Sequence, residues 1–359
     1  MTAGDRRLEA PHRRGGRGPR FIERLTIVGY RATAWVLGVL PPGPSAAVIG
    51  RFSQLSYLLW PTKRTWSNRN FGHVLGLPPD DRRVRAMALR AYRGYGRYLV
   101  ELMRLPGRPR EETVRLAATL DADEVRRIWR ENPRGGGLIF AVGHVGNNEA
   151  VAASIAHHGM PISVVADDSS FPELFELLRR QRESWGVHVI AWRNLREIFS
   201  VLRRKEMLAL LIDWGYRSDG IPVQLFGAWT ALPAGPATLA AKTNSRILPI
   251  TIRRQPDDTF HVSGPDPIDL TAGGPAELQR ATQAMADALA ATIGAAPEQW
   301  YSFKPIWPSD PAEIADLERR ARLMQAGIAD PGPARGPAGA DVDAGADAGA
   351  DPSLESAAT

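Results

Sequence analysis

The segment His144-Val-Gly-Asn-Asn-Glu149 holds an imidazole and a carboxylate five residues apart. A histidine held by a carboxylate has a fixed tautomer and one free ring nitrogen, so it works as a general base. Such a base can deprotonate an alcohol for attack on a thioester. On one continuous helix a spacing of five puts two side chains about 140° apart. The pair therefore meets only if Val145 and Gly146 form a turn and a helix starts near Asn147. Gly146 supplies the backbone freedom for that turn, and Asn147 or Asn148 is a good N-cap. A carboxylate near the helix N-terminus is also favourable. Asp213, at the end of another predicted strand, is a second acid able to meet His144, and the residues alone rank neither acid first.

Other chemistries find few residues. The chain has no cysteine, which removes disulfides, thiolate nucleophiles and Cys-ligated zinc. There is no Gly-x-Ser-x-Gly elbow, no Walker A loop, no clean Gly-x-Gly-x-x-Gly and no His-Glu-x-x-His. A His and a Glu five apart match no defensible zinc motif. No metal and no cofactor is expected.

The elements that must position these residues follow from hydrophobic period. Gly137–Gly143 is a short apolar run, as in a buried strand. After it the pattern predicts a helix at about 148–158, a strand at 162–166, a helix at 172–185 and a strand at 187–191. A helix at 194–204 and a strand at 207–213 follow. A loop then leads to a helix at 236–243, strands at 246–252 and 260–263, and a long helix at about 275–294. Alternation of this kind predicts an α/β fold with a mostly parallel central sheet flanked by helices. In such sheets the active site lies at the carboxyl ends of the strands, where His144 and Asp213 both fall.

The first third reads differently. Val84–Met103 has apolar residues at spacings of three and four, with arginines opposite, and predicts an amphipathic helix. From Arg51 to Arg110 there are 13 Lys/Arg against 3 Asp/Glu. Such a stretch attracts a polyanion, either an anionic membrane leaflet or nucleic acid. Just before it, Ala32–Gly50 carries no charge over 19 residues. Pro41, Pro42 and Pro44 interrupt that run, so two short interfacial helices, about 21–40 and 45–60, are expected rather than one spanning helix. The organisation expected is a basic disordered N-terminus (1–20), a helical membrane-associating region (21–110), an α/β domain (111–310), a C-terminal helix (311–328) and a disordered tail (329–359).

Several blocks together resemble a known family. His144-Val-Gly-Asn-Asn-Glu149 is similar to the His-x4-Asp/Glu motif of the lipid A lauroyl/myristoyl acyltransferases and of the related actinobacterial phosphatidylinositol mannoside acyltransferases. Arg179–Gly186 resembles their second block, with its Arg carried over to Arg182. Asp213–Gly220, then Ile221–Gly227, resembles the third, in which an acid ends a strand and a Phe-Gly turn follows the next one. Ala234–Ala241 with Ile247–Ile250, and Pro297-Glu-Gln-Trp300, resemble two more. The similarity spans about residues 66–307. One departure is Asn148, where the family usually has Trp.

The resemblance implies a glycerolipid acyltransferase-like fold with an N-terminal membrane-docking region, on the cytoplasmic face of the plasma membrane as a peripheral or monotopic protein. It implies transfer of a fatty acyl group from acyl-CoA or acyl-carrier protein to a glycolipid or phospholipid hydroxyl, a phosphatidylinositol mannoside-type acceptor being favoured. His144 would be the base, Glu149 or Asp213 its orienting acid, and backbone amides near Gly146 and Asn147 the oxyanion donors. Arg182 would contact phosphate or pantetheine groups of the donor. Phe226, Trp229, Trp214 and the 84–103 helix would line an apolar tunnel. The partners implied are lipids of an anionic inner leaflet and the acyl carrier. A lysophospholipid acyltransferase and a non-catalytic lipid-binding protein on the same fold are the alternatives. A nucleic-acid partner is not expected, because it leaves the His144, Glu149 and Asp213 set unexplained.

Overall fold

The computed structural model of the chain describes residues 17–168 and 171–333. Expected disorder at 1–20 and 329–359 falls largely outside those residues. Where the two overlap the structure differs: 17–20 already belong to a helix, and Asp330 is tied by an ion pair to the buried Arg320 (2.7 Å).

Four helices come first: α1 (Arg17–Val39), α2 (Pro42–Leu59), α3 (Pro61–Leu75) and α4 (Arg82–Arg104). The proline cluster does what its chemistry dictates. It ends α1 and supplies the first turn of α2, where a missing N–H costs nothing. Asp81 caps α4 by accepting from Arg83 N–H. The α2–α4 crossing is tight: a Cβ on Gly96 would lie 2.7 Å from Gly50 Cα. No helix among the described residues is long and apolar enough to cross a membrane. Yet α1 and α2 expose Phe21, Leu25, Trp35, Val39, Phe52 and Leu59, with Trp35 73% exposed.

Two short helices, α5 (Arg110–Leu116) and α6 (Ala122–Arg130), lead to the alternating part. It runs β1 (Leu138–Val142), α7 (Asn148–His157), β2 (Ile162–Ala166), α8 (Pro172–Glu183), β3 (His188–Ala191), α9 (Leu195–Arg203) and β4 (Met207–Leu211). A hairpin of β5 (Ile221–Leu225) and β6 (Ala228–Leu232) follows. Then come α10 (Gly235–Thr243), β7 (Arg246–Arg254), β8 (Phe260–Ser263), α11 (Pro275–Ala295) and, near the end, α12 (Pro311–Gln325).

The sheet order is β3-β2-β4-β1-β7-β8, all parallel except β8, so the predicted α/β architecture is observed. Strand β1 lies in its middle. Ile139 and Ala141 enter the core on one face, against α9, α10 and α11, while Leu138, Phe140 and Val142 enter the other, against α7 and α8. Burial on both faces explains why β1 is apolar at every position.

The hairpin corrects the loop that hydrophobic period predicts before α10, and it has the strand followed by a Phe-Gly turn that the family resemblance implies. Pro222 interrupts the strand pattern of β5. The turn residues Phe226 and Gly227 both have positive φ, 50° and 74°, without the Asn-Gly or Asp-Gly pair that announces such turns. Predicted boundaries elsewhere hold to within a few residues, and α3, α5 and α6 had no predicted counterpart.

Candidate active site

Parallel pairing of β1 and β4 sets Val142 beside Leu211. Two residues beyond each, His144 and Asp213 therefore leave neighbouring strand ends side by side. The chain turns sharply after His144. Gly146 has φ 71°, and a Cβ there would meet Ile252 O at 2.6 Å, so only glycine fits this turn. Asn147 then caps α7, its Oδ1 accepting from Ala150 N–H at 3.0 Å. The strand–turn–helix read from the sequence is thus formed.

The acid that meets His144 is Asp213. Its Oδ1 lies 2.6 Å from His144 Nδ1. The His144 backbone N–H donates to both carboxylate oxygens, at 3.1 and 2.9 Å. The Trp300 indole N–H donates to Oδ2 at 2.7 Å. Trp300 is fully buried, with its ring set edge-on to Phe71. It arrives on a segment that runs antiparallel to the turn: Tyr301 N–H donates to His144 O, and Gly146 N–H to Gln299 O. Ser302 Oγ donates to the Asp213 carbonyl at 2.8 Å.

Burial raises the Asp213 carboxyl, but the nearby imidazole, its two kinds of hydrogen bond and the Trp300 donor outweigh it. The pKa stands below the ordinary aspartate value. An ionised carboxylate only accepts, so in the neutral imidazole the proton sits on Nδ1 and the lone pair on Nε2. His144 Nε2 is buried with no hydrogen-bond partner among the described residues. It faces a small cavity of about 40 Å³ lined by Tyr95, Trp214, Tyr301, Ser302, Phe303 and Lys304. The Lys304 ammonium rests 3.7 Å from the centre of the Trp214 ring.

Glu149 takes a different partner from the one expected. Its carboxylate is paired with Arg182 of α8, Nη2 to Oε1 at 2.6 Å and Nε to both oxygens at 3.0 and 3.1 Å. No hydrogen bond joins Glu149 to His144 among the described residues. The helix starts where expected, but the register of β1 beside β4 brings Asp213 to His144, while Glu149 in the first turn of α7 projects toward α8. The same pairing corrects the expectation for Arg182. It is 3% exposed and its fork grips Glu149, so it does not present a guanidinium to a phosphate. Desolvation works against its charge, but Glu149 outweighs that and raises its pKa.

Gly146 and Asn147 are likewise engaged. The Gly146 amide donates to Gln299, and Asn147 Nδ2 donates to Glu101 at 3.0 Å. Glu101 also receives Arg254 at 2.6 Å and Arg97 at 3.2 Å. Of the expected tunnel residues, Trp214 and, from the 84–103 helix, Tyr95 lie beside His144. Phe226 and Trp229 lie at the β5–β6 hairpin, with Phe226 against Trp307. An apolar cavity of about 70 Å³ is lined by Tyr98 of the 84–103 helix, by Phe140 and Ile250 of the sheet, by Val151 and Ile155 of α7, and by the Glu149–Arg182 pair. The role of Trp300 as a donor to Asp213 had no signal in local spacing, only the family-like Trp block.

The family model for the bacterial lipid A biosynthesis acyltransferases matches residues 21–309. A phosphatidylinositol mannoside acyltransferase of Mycolicibacterium smegmatis is 29% identical over 308 residues, covering 84% of this chain and 96% of that protein. One of Mycobacterium tuberculosis is 28% identical over 261 residues, covering 71% of this chain and 80% of that protein.

The Glu149–Arg182 pair makes a stability prediction. Glu149→Gln leaves a buried guanidinium without its counter-charge and should destabilise the fold by about 3–5 kcal/mol. Combining it with Arg182→Met should restore much of that loss. Denaturant unfolding of the three proteins checks this. A Glu149→Gln protein as stable as wild type would show that the pair is solvated.

Proposed function

The chain belongs to the bacterial lipid A biosynthesis acyltransferase family and is a lipid acyltransferase; from that premise we propose that His144 is the general base for acyl transfer to a lipid-borne hydroxyl. The donor is a fatty acyl thioester on CoA or acyl-carrier protein. The acceptor is a glycolipid or phospholipid, with a phosphatidylinositol mannoside-type lipid favoured by the similarity to the two mycobacterial phosphatidylinositol mannoside acyltransferases. The observation that carries the reading is the state of the two imidazole nitrogens: Nδ1 is held by Asp213 while Nε2 is buried and unpartnered.

In this reading the acceptor O–H passes its proton to His144 Nε2 as its oxygen attacks the thioester carbonyl. The tetrahedral intermediate collapses by breaking the C–S bond, and the departing thiolate takes the proton from the imidazolium. No covalent acyl-enzyme forms. Asp213 fixes the ring and stabilises the imidazolium, and Trp300 with the His144 amide keeps that carboxylate aimed. For the oxyanion, the backbone amide of Asn147 at the start of α7 stays the candidate, since that of Gly146 already donates to Gln299. Glu149 and Arg182 act as a buried brace between α7 and α8. The apolar cavity behind α7 suits part of an alkyl chain.

His144→Ala should remove acyl transfer from palmitoyl-CoA to every acceptor in a glycolipid panel. Asp213→Asn should lower kcat by roughly 10²–10⁴ with the fold intact, in line with loss of an orienting carboxylate. Unchanged turnover in His144→Ala would sink the mechanism.

The apolar face of α1 and α2 carries exposed Arg24, Arg31 and Arg51 beside the aromatic and aliphatic residues. This is the composition of an interfacial surface that seats apolar side chains below anionic headgroups. It fits a peripheral or monotopic protein on the cytoplasmic face of the plasma membrane. Trp35→Ser with Leu59→Ser should reduce co-sedimentation with anionic phospholipid vesicles. Equal sedimentation would place the docking surface elsewhere.

A further inference from the structure

The basic stretch from Arg51 to Arg110 is not absorbed by the base and its acid. The fold gathers part of it into a groove of about 830 Å³. Its lining takes in Pro42, Gly43, Ala46 and Ala47 at the start of α2. It also takes in Asn147, which follows the His144 turn, and Tyr301, whose N–H donates to His144 O. Seven arginines line the same groove: 90, 93, 97, 104, 108, 115 and 254.

These arginines divide into two sets. Arg254 and Arg97 are taken up by Glu101, and Arg97 also by Asp258. Arg104 donates to the carbonyls of Leu37 and Leu40 and so ties α4 to the end of α1. The other four, Arg90, Arg93, Arg108 and Arg115, have no carboxylate partner among the described residues. Glu112, Asp257 and Glu298 also line the groove, and Asp257 already accepts from Thr259. Among the described residues no ion pair joins any of these three acids to the four arginines. Some arginines of this chain pair with acids three or four residues away, as Arg126, Arg127, Arg179 and Arg322 do, and others, such as Arg24, Arg31, Arg82 and Arg85, are exposed with no ion pair among the described residues. What sets Arg90, Arg93, Arg108 and Arg115 apart is that they line one concave groove together with Asn147 and Tyr301.

We propose that this groove is a phosphate-binding subsite, in which Arg93 and Arg115, with Arg90 and Arg108, hold a phosphate group of one of the two substrates. A guanidinium offers a planar donor fork that matches phosphate oxygens two at a time. A concave basic wall also concentrates anions before they reach the reacting centre. Two sources of phosphate fit the chemistry: the phosphodiester of a lipid acceptor and the phosphates of an acyl-CoA donor. Assignment of the source rests on the acyl-transfer reading, but existence of the subsite does not.

Binding is tested first, without turnover. Titration of inorganic pyrophosphate into the full chain by calorimetry should show saturable binding. Arg93→Ala with Arg115→Ala should weaken it about tenfold or more, the scale of losing charged hydrogen bonds, while Lys at both positions should recover part of it. Both residues are exposed, so the variants should fold, and thermal unfolding checks that. No saturable binding to wild type, or equal binding to the Ala variant, overturns the proposal whatever the enzyme turns over.

Kinetics in neutral phosphatidylcholine vesicles then assigns the source. The Ala variant should show a raised KM for one substrate, with kcat little changed. If the rise vanishes on replacing palmitoyl-CoA with a phosphate-free palmitoyl thioester, the donor is held. If it vanishes with a phosphate-free mannolipid acceptor, the acceptor is held. Unchanged KM for both, with only anionic-vesicle binding weakened, overturns the subsite in favour of a general membrane-facing charge.

Discussion

A buried carboxylate must be fully satisfied or it will not stay charged, and Asp213 meets that requirement with donors from two other parts of the chain. The backbone N–H and ring Nδ1 of His144 come from the end of β1, and the indole of Trp300 from a segment 87 residues beyond Asp213. Desolvation alone would raise its pKa and empty the charge, yet these donors hold it below the ordinary value. The interaction orders the site in both directions. It fixes which imidazole nitrogen is free, and it joins the ends of β1 and β4 to the strand-like segment through Trp300 and Tyr301.

Much of the surrounding structure serves that junction. Strand β1 needs burial on both faces to sit mid-sheet beside β4, and its side chains alternate between two cores. Gly146 must be glycine so that the chain can turn under Ile252, and the turn lets the Trp300 segment pair with it. The Glu149–Arg182 pair braces α7 against α8 from the other side. On that brace α1 is also anchored: Glu23 accepts from the first amides of α8, and Tyr30 donates to Gln181. The apolar helices at the surface are thereby fastened one residue from Arg182, which links the exposed face to the site through short contacts.

The sequence made parts of this legible and concealed others. The strand, turn and helix around His144 were readable because a buried strand is uniformly apolar and a turn needs glycine and an N-cap. Asp213 was readable as a strand-end acid. Its priority over Glu149 was not, because both lie within plausible reach in sequence and the choice is made by sheet register. Arg182 misled for a related reason: a helix arginine looks solvent-facing until α8 is packed on α7. Hydrophobic pattern alone does not show the β5–β6 hairpin, because its turn uses Phe226 at positive φ where turn patterns expect Asn or Gly; only the family-like block with its Phe-Gly turn points to it. The basic stretch was visible as charge, but only the fold separates arginines with local acids from those left facing a groove.

The central claim is that Asp213 leaves His144 Nε2 with a lone pair. Nitrogen-15 NMR of the imidazole tests this most directly, with the His144 signals identified by their loss in His144→Ala. In the neutral ring the account predicts a protonated Nδ1 resonance and an unprotonated Nε2 resonance. A neutral ring protonated on Nε2 would contradict it, since no lone pair would then be available to act as the proposed base.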